Sequence, residues 1–186
     1  LARAHRGFGW HYLQLKEFDD AAGHYVEAIT VCKRSAEDFS EDSEWQAILA
    51  QSYRELAGVF AATQRDADAI KYYDMAIKLF ERAVRRPPVD TQNRLDLEKT
   101  HKEHGEQLRK SRRTHEAEEQ FRKSLYISAK LAEDFPHVPS YRNAWRVCYF
   151  MLLTGLGIDH RAGEAHQNCL EIIDLAKGLV ERWPTI

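Results

Sequence analysis

Long apolar runs, paired cysteines and an excess of one charge are all lacking in this sequence of 186 residues. No apolar run approaches the roughly 18 residues that cross a bilayer, so no membrane-spanning helix is predicted. The formal net charge is -2, whereas nucleic-acid-binding domains are usually distinctly basic. The composition therefore predicts neither a membrane nor a nucleic acid as a partner.

Cysteine, proline and glycine are also scarce. The three cysteines, Cys32, Cys148 and Cys169, are an odd number without metal-ligand spacing, which predicts buried free thiols in a reducing compartment and hence a cytoplasmic location. Only five Pro and nine Gly occur, too few for a disordered or loop-rich chain. The sequence begins with Leu1 rather than Met and has no leader-peptide pattern, so we expect a segment of a longer protein.

Catalytic and metal-binding motifs are lacking as well. His101 and His104 lie close together, but the stretch HKEHG is not the H-E-x-x-H zinc arrangement, and both occupy positions that pack helices in the repeat described below. His160, His166 and Cys169 share no metal-ligand spacing. The sequence therefore predicts no enzyme, no metal and no cofactor.

What the sequence has instead is a long, evenly spaced repeat. Its alanine position is occupied by Ala21, Ala69, Ala117 and Ala165. The position four further along is occupied by Tyr25, Tyr73, Phe121 and Cys169. The small-residue position upstream is occupied by Gly9, Ala57, Gly105 and Leu153. This periodicity predicts a single domain over 1–186 with four units at approximately 1–40, 41–88, 89–136 and 137–186.

Each unit shows helical periodicity twice. Apolar residues recur at spacings of three, four, seven and eight, which place them on one side of a helix. We predict helices at 1–14, 18–38, 44–63, 66–86, 92–112, 115–135, 140–157 and 162–183. The fold class is therefore all-α, with eight helices arranged as four helical hairpins.

The signature within the first two units carries a family resemblance. A small residue, then an aromatic, an alanine, an aromatic and an alanine occur at fixed offsets: Gly9, Tyr12, Ala21, Tyr25, Ala28 and Ala57, Phe60, Ala69, Tyr73, Ala76. This pattern resembles the tetratricopeptide repeat, which is usually shorter than the repeat found here. The long form, with AEDFP at 132–136 followed by HVPSYRNAW, resembles repeats found C-terminal to bacterial serine/threonine protein kinases. The fourth unit departs from the signature at Leu153 and Cys169.

The resemblance covers the whole chain and implies a right-handed solenoid that acts as a protein-protein interaction scaffold and binds its partner in a concave groove. It also implies a module of a larger bacterial signalling protein, with any kinase domain outside these residues because no kinase motif occurs in them. Two alternatives remain open: a structural spacer or dimerisation element, and a regulatory domain that senses a ligand.

In such an array the first helices of the hairpins line the groove. The repeat then assigns seven groove residues: Arg3, Arg6, Trp10, Arg54, Lys99, Lys102 and Arg109. They are mostly basic, and arginine and lysine bind carboxylates. We therefore expect an acidic peptide or protein partner, although nearby Glu103 and Glu106 offset part of this charge.

The fourth unit is apolar where the others are charged. Its candidate interface residues are Val147, Phe150, Met151 and Ile158. Exposed apolar patches usually mark an interface, so we expect self-association or contact with a further domain here; an ordinary buried helix is the alternative. The basic run RKSRR at 109–113 is interpreted as a solvated turn rather than a phosphate site.

Overall fold

Seven α-helices form the part of the chain described by the computed structural model, which covers residues 1–38, 43–85 and 90–158. Side chains are described for these residues except 36–38, 43, 44 and 153–158. The helices are α1 Ala2–Gln14, α2 Phe18–Asp38, α3 Ser43–Ala62, α4 Asp66–Val84, α5 Thr91–Lys110, α6 Thr114–Asp134 and α7 Pro139–Ile158. No strand occurs among the described residues, so the all-α class is confirmed. The eighth predicted helix, 162–183, lies outside them.

The helix ends lie close to the predicted ones, and one of the largest differences has a clear cause. The helix predicted at 92–112 ends at Lys110. Arg112 has a positive φ of 59°, a left-handed conformation that cannot continue a right-handed helix. Its N–H donates to the Arg109 carbonyl, and the Arg113 N–H donates to the Leu108 carbonyl, so the final carbonyls are satisfied locally.

The same turn joins the helices of all three described pairs. Lys16, Gln64 and Arg112 occupy one position of the repeat and have φ of 61°, 60° and 59°. In each turn the next N–H donates back to a carbonyl in the last turn of the preceding helix, as from Glu17 to Tyr12 at 3.0 Å. The repeat seen in the sequence is therefore also a repeat of backbone conformation.

Side-chain contacts within the pairs follow the same period. His5 Nδ1 lies 3.2 Å from His24 Nδ1, and His101 Nδ1 lies 2.8 Å from Gln120 Oε1. The two contacts join equivalent positions of the first and third units. The pairs α1–α2 and α5–α6 therefore pack in the same geometry.

Small residues allow the two helices of a pair to approach closely. A Cβ added to Gly9 would lie 2.8 Å from the Tyr25 ring, and one added to Gly105 would lie 2.7 Å from the Phe121 ring. Such distances are shorter than van der Waals contact. In the first and third pairs, the aromatic ring of the second helix therefore occupies the space that the glycine of the first helix leaves open.

Most of the apolar core lies between consecutive helices. One buried cluster extends from α2 through α3 and α4 to Leu97 of α5, and a second joins α5, α6 and α7 around Leu108 and Phe121. Cys32 and Cys148 are buried free thiols, as predicted, and Cys169 lies outside the described residues. Each helix thus packs against the next one in the chain.

Candidate partner-binding groove

The first helices of the pairs, α1, α3 and α5, contact one another through polar side chains. Arg6 Nε donates to Glu55 Oε2 at 3.0 Å, and its Nη1 donates to Gln51 Oε1 at 2.5 Å. Gln51 Nε2 in turn donates to Asp96 Oδ2 at 2.7 Å. A chain of charge-assisted hydrogen bonds therefore connects three helices across this face.

The arginine–glutamate pair recurs one unit later. Arg54 Nη1 lies 3.5 Å from Glu103 Oε1, at the positions equivalent to those of Arg6 and Glu55. The Arg54 side chain is only 11% exposed, and its Nη2 also lies 3.8 Å from Glu55 Oε1. Arg6 and Arg54 are thus held by carboxylates of this chain.

Burial affects the two carboxylates of these pairs in the same way. It raises the pKa of Glu55 and that of Glu103, while the neighbouring arginines lower both values and offset part of the shift. In such partly desolvated pairs the cost of desolvation offsets much of the attraction between the two charges.

The pairing stops at the third unit. Lys102 is equivalent to Arg6 and Arg54, but the position of its carboxylate partner is taken by Met151. Within the described residues Lys102 makes no ion pair, and Lys99 reaches only Glu103, at 4.0 Å. Lys102 therefore lacks the cross-unit carboxylate that pairs with Arg6 and with Arg54.

Apolar side chains occupy the positions equivalent to these lysines in the next unit. Val147 and Phe150 of α7 are one unit on from Lys99 and Lys102, and Phe150 is 66% exposed. Met151, by contrast, packs partly against the second core cluster, and the side chain of Ile158 lies outside the described residues. Of the four predicted interface residues, Val147 and Phe150 are placed at the surface.

The remaining predicted groove residues lie at the surface. Trp10 is exposed on α1, Arg3 is exposed at its start, and Arg109 is exposed at the end of α5. The basic groove predicted from the sequence thus contains two different kinds of residue. Arg6 and Arg54 pair with carboxylates of neighbouring helices. Lys102 is half-buried, and the other four are exposed.

A buried carboxylate links the third pair to α7. Glu98 Oε1 accepts hydrogen bonds from Ser124 Oγ at 2.9 Å and from Cys148 Sγ at 3.1 Å. Burial, and next the charge of Glu98, raise the pKa of the Cys148 thiol to about 12. Because the thiolate is the reactive form, this group is unsuited to nucleophilic chemistry.

His101 and His104 are buried, as expected for packing positions. The His104 ring stacks on Tyr73 with centroids 5.8 Å apart, and neither ring nitrogen has a hydrogen-bond partner. Burial lowers the pKa of His104 to about 4, against an opposing effect of Asp74, whose Oδ1 lies 3.7 Å from Nδ1. Among the described residues, no three His, Cys, Asp or Glu side chains could hold a metal ion.

Acid should therefore destabilise the fold through His104. The unfolded histidine binds a proton below a pKa of about 6.5, whereas the folded one stays neutral until about pH 4. Unfolding thus takes up a proton in this window, and stability present above about pH 6.5 is lost as the pH falls through it. We expect a loss on the order of 2 kcal/mol between about pH 7 and pH 5.

His104→Leu should raise stability and remove this component of the pH dependence. Leu56 and Leu152 fill the equivalent positions and are buried, and leucine leaves no unpaired polar group, a gain of about 1–3 kcal/mol. Urea unfolding at neutral and at mildly acid pH measures both effects. His11→Leu, at an exposed position of α1, is the control and should retain the slope. A His104→Leu profile parallel to that of the unaltered chain would contradict the assignment.

The basic run at 109–113 is partly paired. The Arg113 guanidinium donates to both carboxylate oxygens of Glu116, and Arg112 supplies the left-handed turn residue. This placement agrees with a turn. No helix in the described part of the chain is long and apolar enough to span a membrane.

Comparison with known proteins adds information on the fold alone. No protein-family model matches this chain, and no curated protein matches it. Among solved structures, the chain is similar to the crystal structure of BtubC (BKLC) from P. vanneervenii, with a TM-score of 0.56 and 16% sequence identity. The similarity covers 91% of this chain and 64% of BtubC, so the chain spans just under two thirds of that structure. It supports the all-helical architecture.

Proposed function

We propose that this chain is a tetratricopeptide-like scaffold that binds a protein or peptide partner on the face formed by its first helices. The repeated turn, the Gly9–Tyr25 and Gly105–Phe121 contacts and the consecutive packing of the helices support a solenoid of stacked hairpins. Right-handed coiling, a fourth hairpin and a place in a larger bacterial signalling protein are parts of the same proposal.

The observation that carries the proposal is the interruption of the cross-unit ion pairs. Two pairs, Arg6–Glu55 and Arg54–Glu103, neutralise the first part of the face. Lys102 then lacks the equivalent carboxylate, and Phe150 is exposed one unit further on. A partner that supplies a carboxylate would neutralise Lys102, and an apolar side chain beside that carboxylate would pack on the exposed part of Phe150.

The binding site is accordingly smaller than the seven-residue groove. Lys99, Lys102, Val147 and Phe150 form its centre, which we name the lysine–phenylalanine patch. Charge-assisted hydrogen bonds from lysine would fix the ligand carboxylate, and burial of an apolar side chain on Phe150 would supply most of the affinity. Arg3, Trp10 and Arg109 lie outside this patch.

The test uses two pools of short peptides of matched length. One pool alternates Asp or Glu with Leu or Phe, and the other has Lys in place of every acid. We expect the acidic pool to bind and Lys102→Glu to weaken binding about tenfold or more, a change of about 1.4 kcal/mol or more. Phe150→Ala should also weaken it.

Lys71→Glu is the matched control, because Lys71 is an exposed lysine on α4. Arg54→Glu is not a useful reporter, since it would place a third carboxylate beside Glu55 and Glu103 and disturb the fold itself. Equal binding of both pools, or unchanged binding by Lys102→Glu, would contradict the proposed patch.

A spacer or dimerisation element remains the rival function. Val147 and Phe150 would then be covered by a second copy of the chain. Sedimentation at several concentrations distinguishes the two functions: a dimer that Phe150→Ala dissociates, without any peptide binding, would favour self-association. Thermal stabilisation by a small molecule would instead favour a ligand-sensing domain.

A further inference from the structure

A second surface, separate from the lysine–phenylalanine patch, lies on α1. Leu1, Phe8 and Leu15 are evenly spaced in the sequence and are 77%, 55% and 54% exposed. Residues seven apart lie on nearly the same side of a helix. Phe8 in the helix and Leu1 and Leu15 at its two ends thus form an apolar stripe, and solvent-exposed stripes of this kind usually mark a contact site.

Two of the three positions of this stripe are covered in the later first helices. Phe8 corresponds to Leu56, His104 and Leu152, all of which are buried, and Leu1 corresponds to the half-buried Leu49 and the buried Leu97. Leu15 corresponds to the polar residues Thr63 and Ser111, so the covered part of the stripe is the part around Leu1 and Phe8. In α5 the covering element is α4: Tyr73 stacks on His104. The repeat therefore indicates what kind of element fits on α1, namely a helix that packs as α4 packs on α5.

The first turn of α4 shows which charge such a helix needs. Asp66 Oδ1 accepts a hydrogen bond from Gln107 Nε2 at 2.6 Å, and Asp66 Oδ2 accepts one from Ser111 Oγ at 3.2 Å. The position of Gln107 corresponds to His11 in α1, which is exposed. An acid in the first turn of a docked helix would therefore lie beside His11.

The charge of α1 favours the same occupant over a second copy. The helix contains no Asp or Glu; apart from Arg6, which pairs with Glu55, its charged or titratable side chains include Arg3, His5 and His11. Two copies of α1 packed together would bring only groups of neutral or positive charge to the contact. An acidic helix would complement them.

We propose that the Leu1, Phe8 and Leu15 stripe is the docking site of an amphipathic partner helix with an acidic first turn. The helix lies antiparallel to α1, with its first turn at His11 and its apolar stripe on Phe8. This surface is separate from the lysine–phenylalanine patch, and the proposal is independent of the function assigned to that patch.

The probe is a synthetic, end-capped, fluorescently labelled peptide with the sequence of residues 66–84, because this helix already packs on the equivalent face of α5. We expect it to bind the intact chain and to bind Phe8→Glu about tenfold more weakly or worse, since a carboxylate would replace the central apolar contact. The same peptide with lysine in place of its first aspartate should also bind more weakly. Tyr126→Glu, at an exposed aromatic of α6, should bind like the unaltered chain.

Two further measurements keep the outcomes distinct. Circular dichroism checks that Phe8→Glu is folded, and Leu15→Glu replaces it if it is not. The peptide has the sequence of α4 and could also bind α5 in place of α4. Only binding to α1 would be weakened by Phe8→Glu. Lack of binding at millimolar peptide, or equal binding to Phe8→Glu, would overturn the proposal. Self-association that Phe8→Glu abolishes would overturn it in favour of a second copy.

Discussion

Gly105→Ala should destabilise the chain, although alanine is the better helix former. The added Cβ would lie 2.7 Å and 2.8 Å from two carbons of the Phe121 ring, and both residues are buried between α5 and α6. Forcing an extra methyl group into a packed interface costs about 1–3 kcal/mol. This cost exceeds the gain of about 1 kcal/mol that alanine brings to a helix interior. Urea denaturation measures the difference.

Gly23→Ala is the matched control, and its effect should have the opposite sign. Gly23 lies in α2, and a Cβ added there would meet no atom within 4 Å. The helix preference alone then remains, which should stabilise the chain by about 0.5–1 kcal/mol. In a Phe121→Leu background Gly105→Ala should cost less, because the ring that it meets is gone. Equal effects at the two glycines would show that the close approach does not limit this interface.

Ser124→Ala should destabilise the chain because it leaves Glu98 without its best donor. The Ser124 hydroxyl donates to Glu98 at 2.9 Å in a buried site, where the remaining donor is the weaker Cys148 thiol. Loss of a hydrogen bond to a buried charged group costs about 1–3 kcal/mol. Chemical denaturation of the variant measures this loss. The alanines at the equivalent positions, Ala28 and Ala76, are buried without difficulty, so alanine itself fits the site.

A double-mutant cycle separates this charge effect from packing. Glu98→Met replaces the carboxylate by an apolar side chain of similar length, and in that background Ser124→Ala should cost much less. Ser128→Ala is the control: its buried hydroxyl donates to the Leu125 carbonyl of its own helix, so its loss leaves no carboxylate unpaired. Additive effects of Ser124→Ala and Glu98→Met would contradict the coupling.

The candidate groove shows where sequence reasoning stopped. The period placed Arg6, Arg54 and Lys102 at equivalent positions, but it did not show that Glu55 and Glu103 point to the arginines of the preceding unit. A signal was present in the sequence. Arg54 is equivalent to Arg6 and is followed directly by Glu55, and Lys102 is equivalent to Arg54 and is followed directly by Glu103. Whether such residues meet depends on how far successive first helices are rotated against each other. Only the packing of whole helices fixes that rotation.

The sequence by itself determined the seven described helices, their period and the positions that pack within the three described pairs. These features depend on contacts between residues close in the chain, such as His101 with Gln120, and on backbone preferences that recur in every described unit. The tertiary structure alone decided the contacts between units: the pairing of Arg6 with Glu55, the burial of Glu98 and the exposure of Phe8. The physical reason is that burial and ion pairing depend on which helix lies next to each face. A repeated sequence pattern places similar residues on a helix face whether or not another helix covers that face.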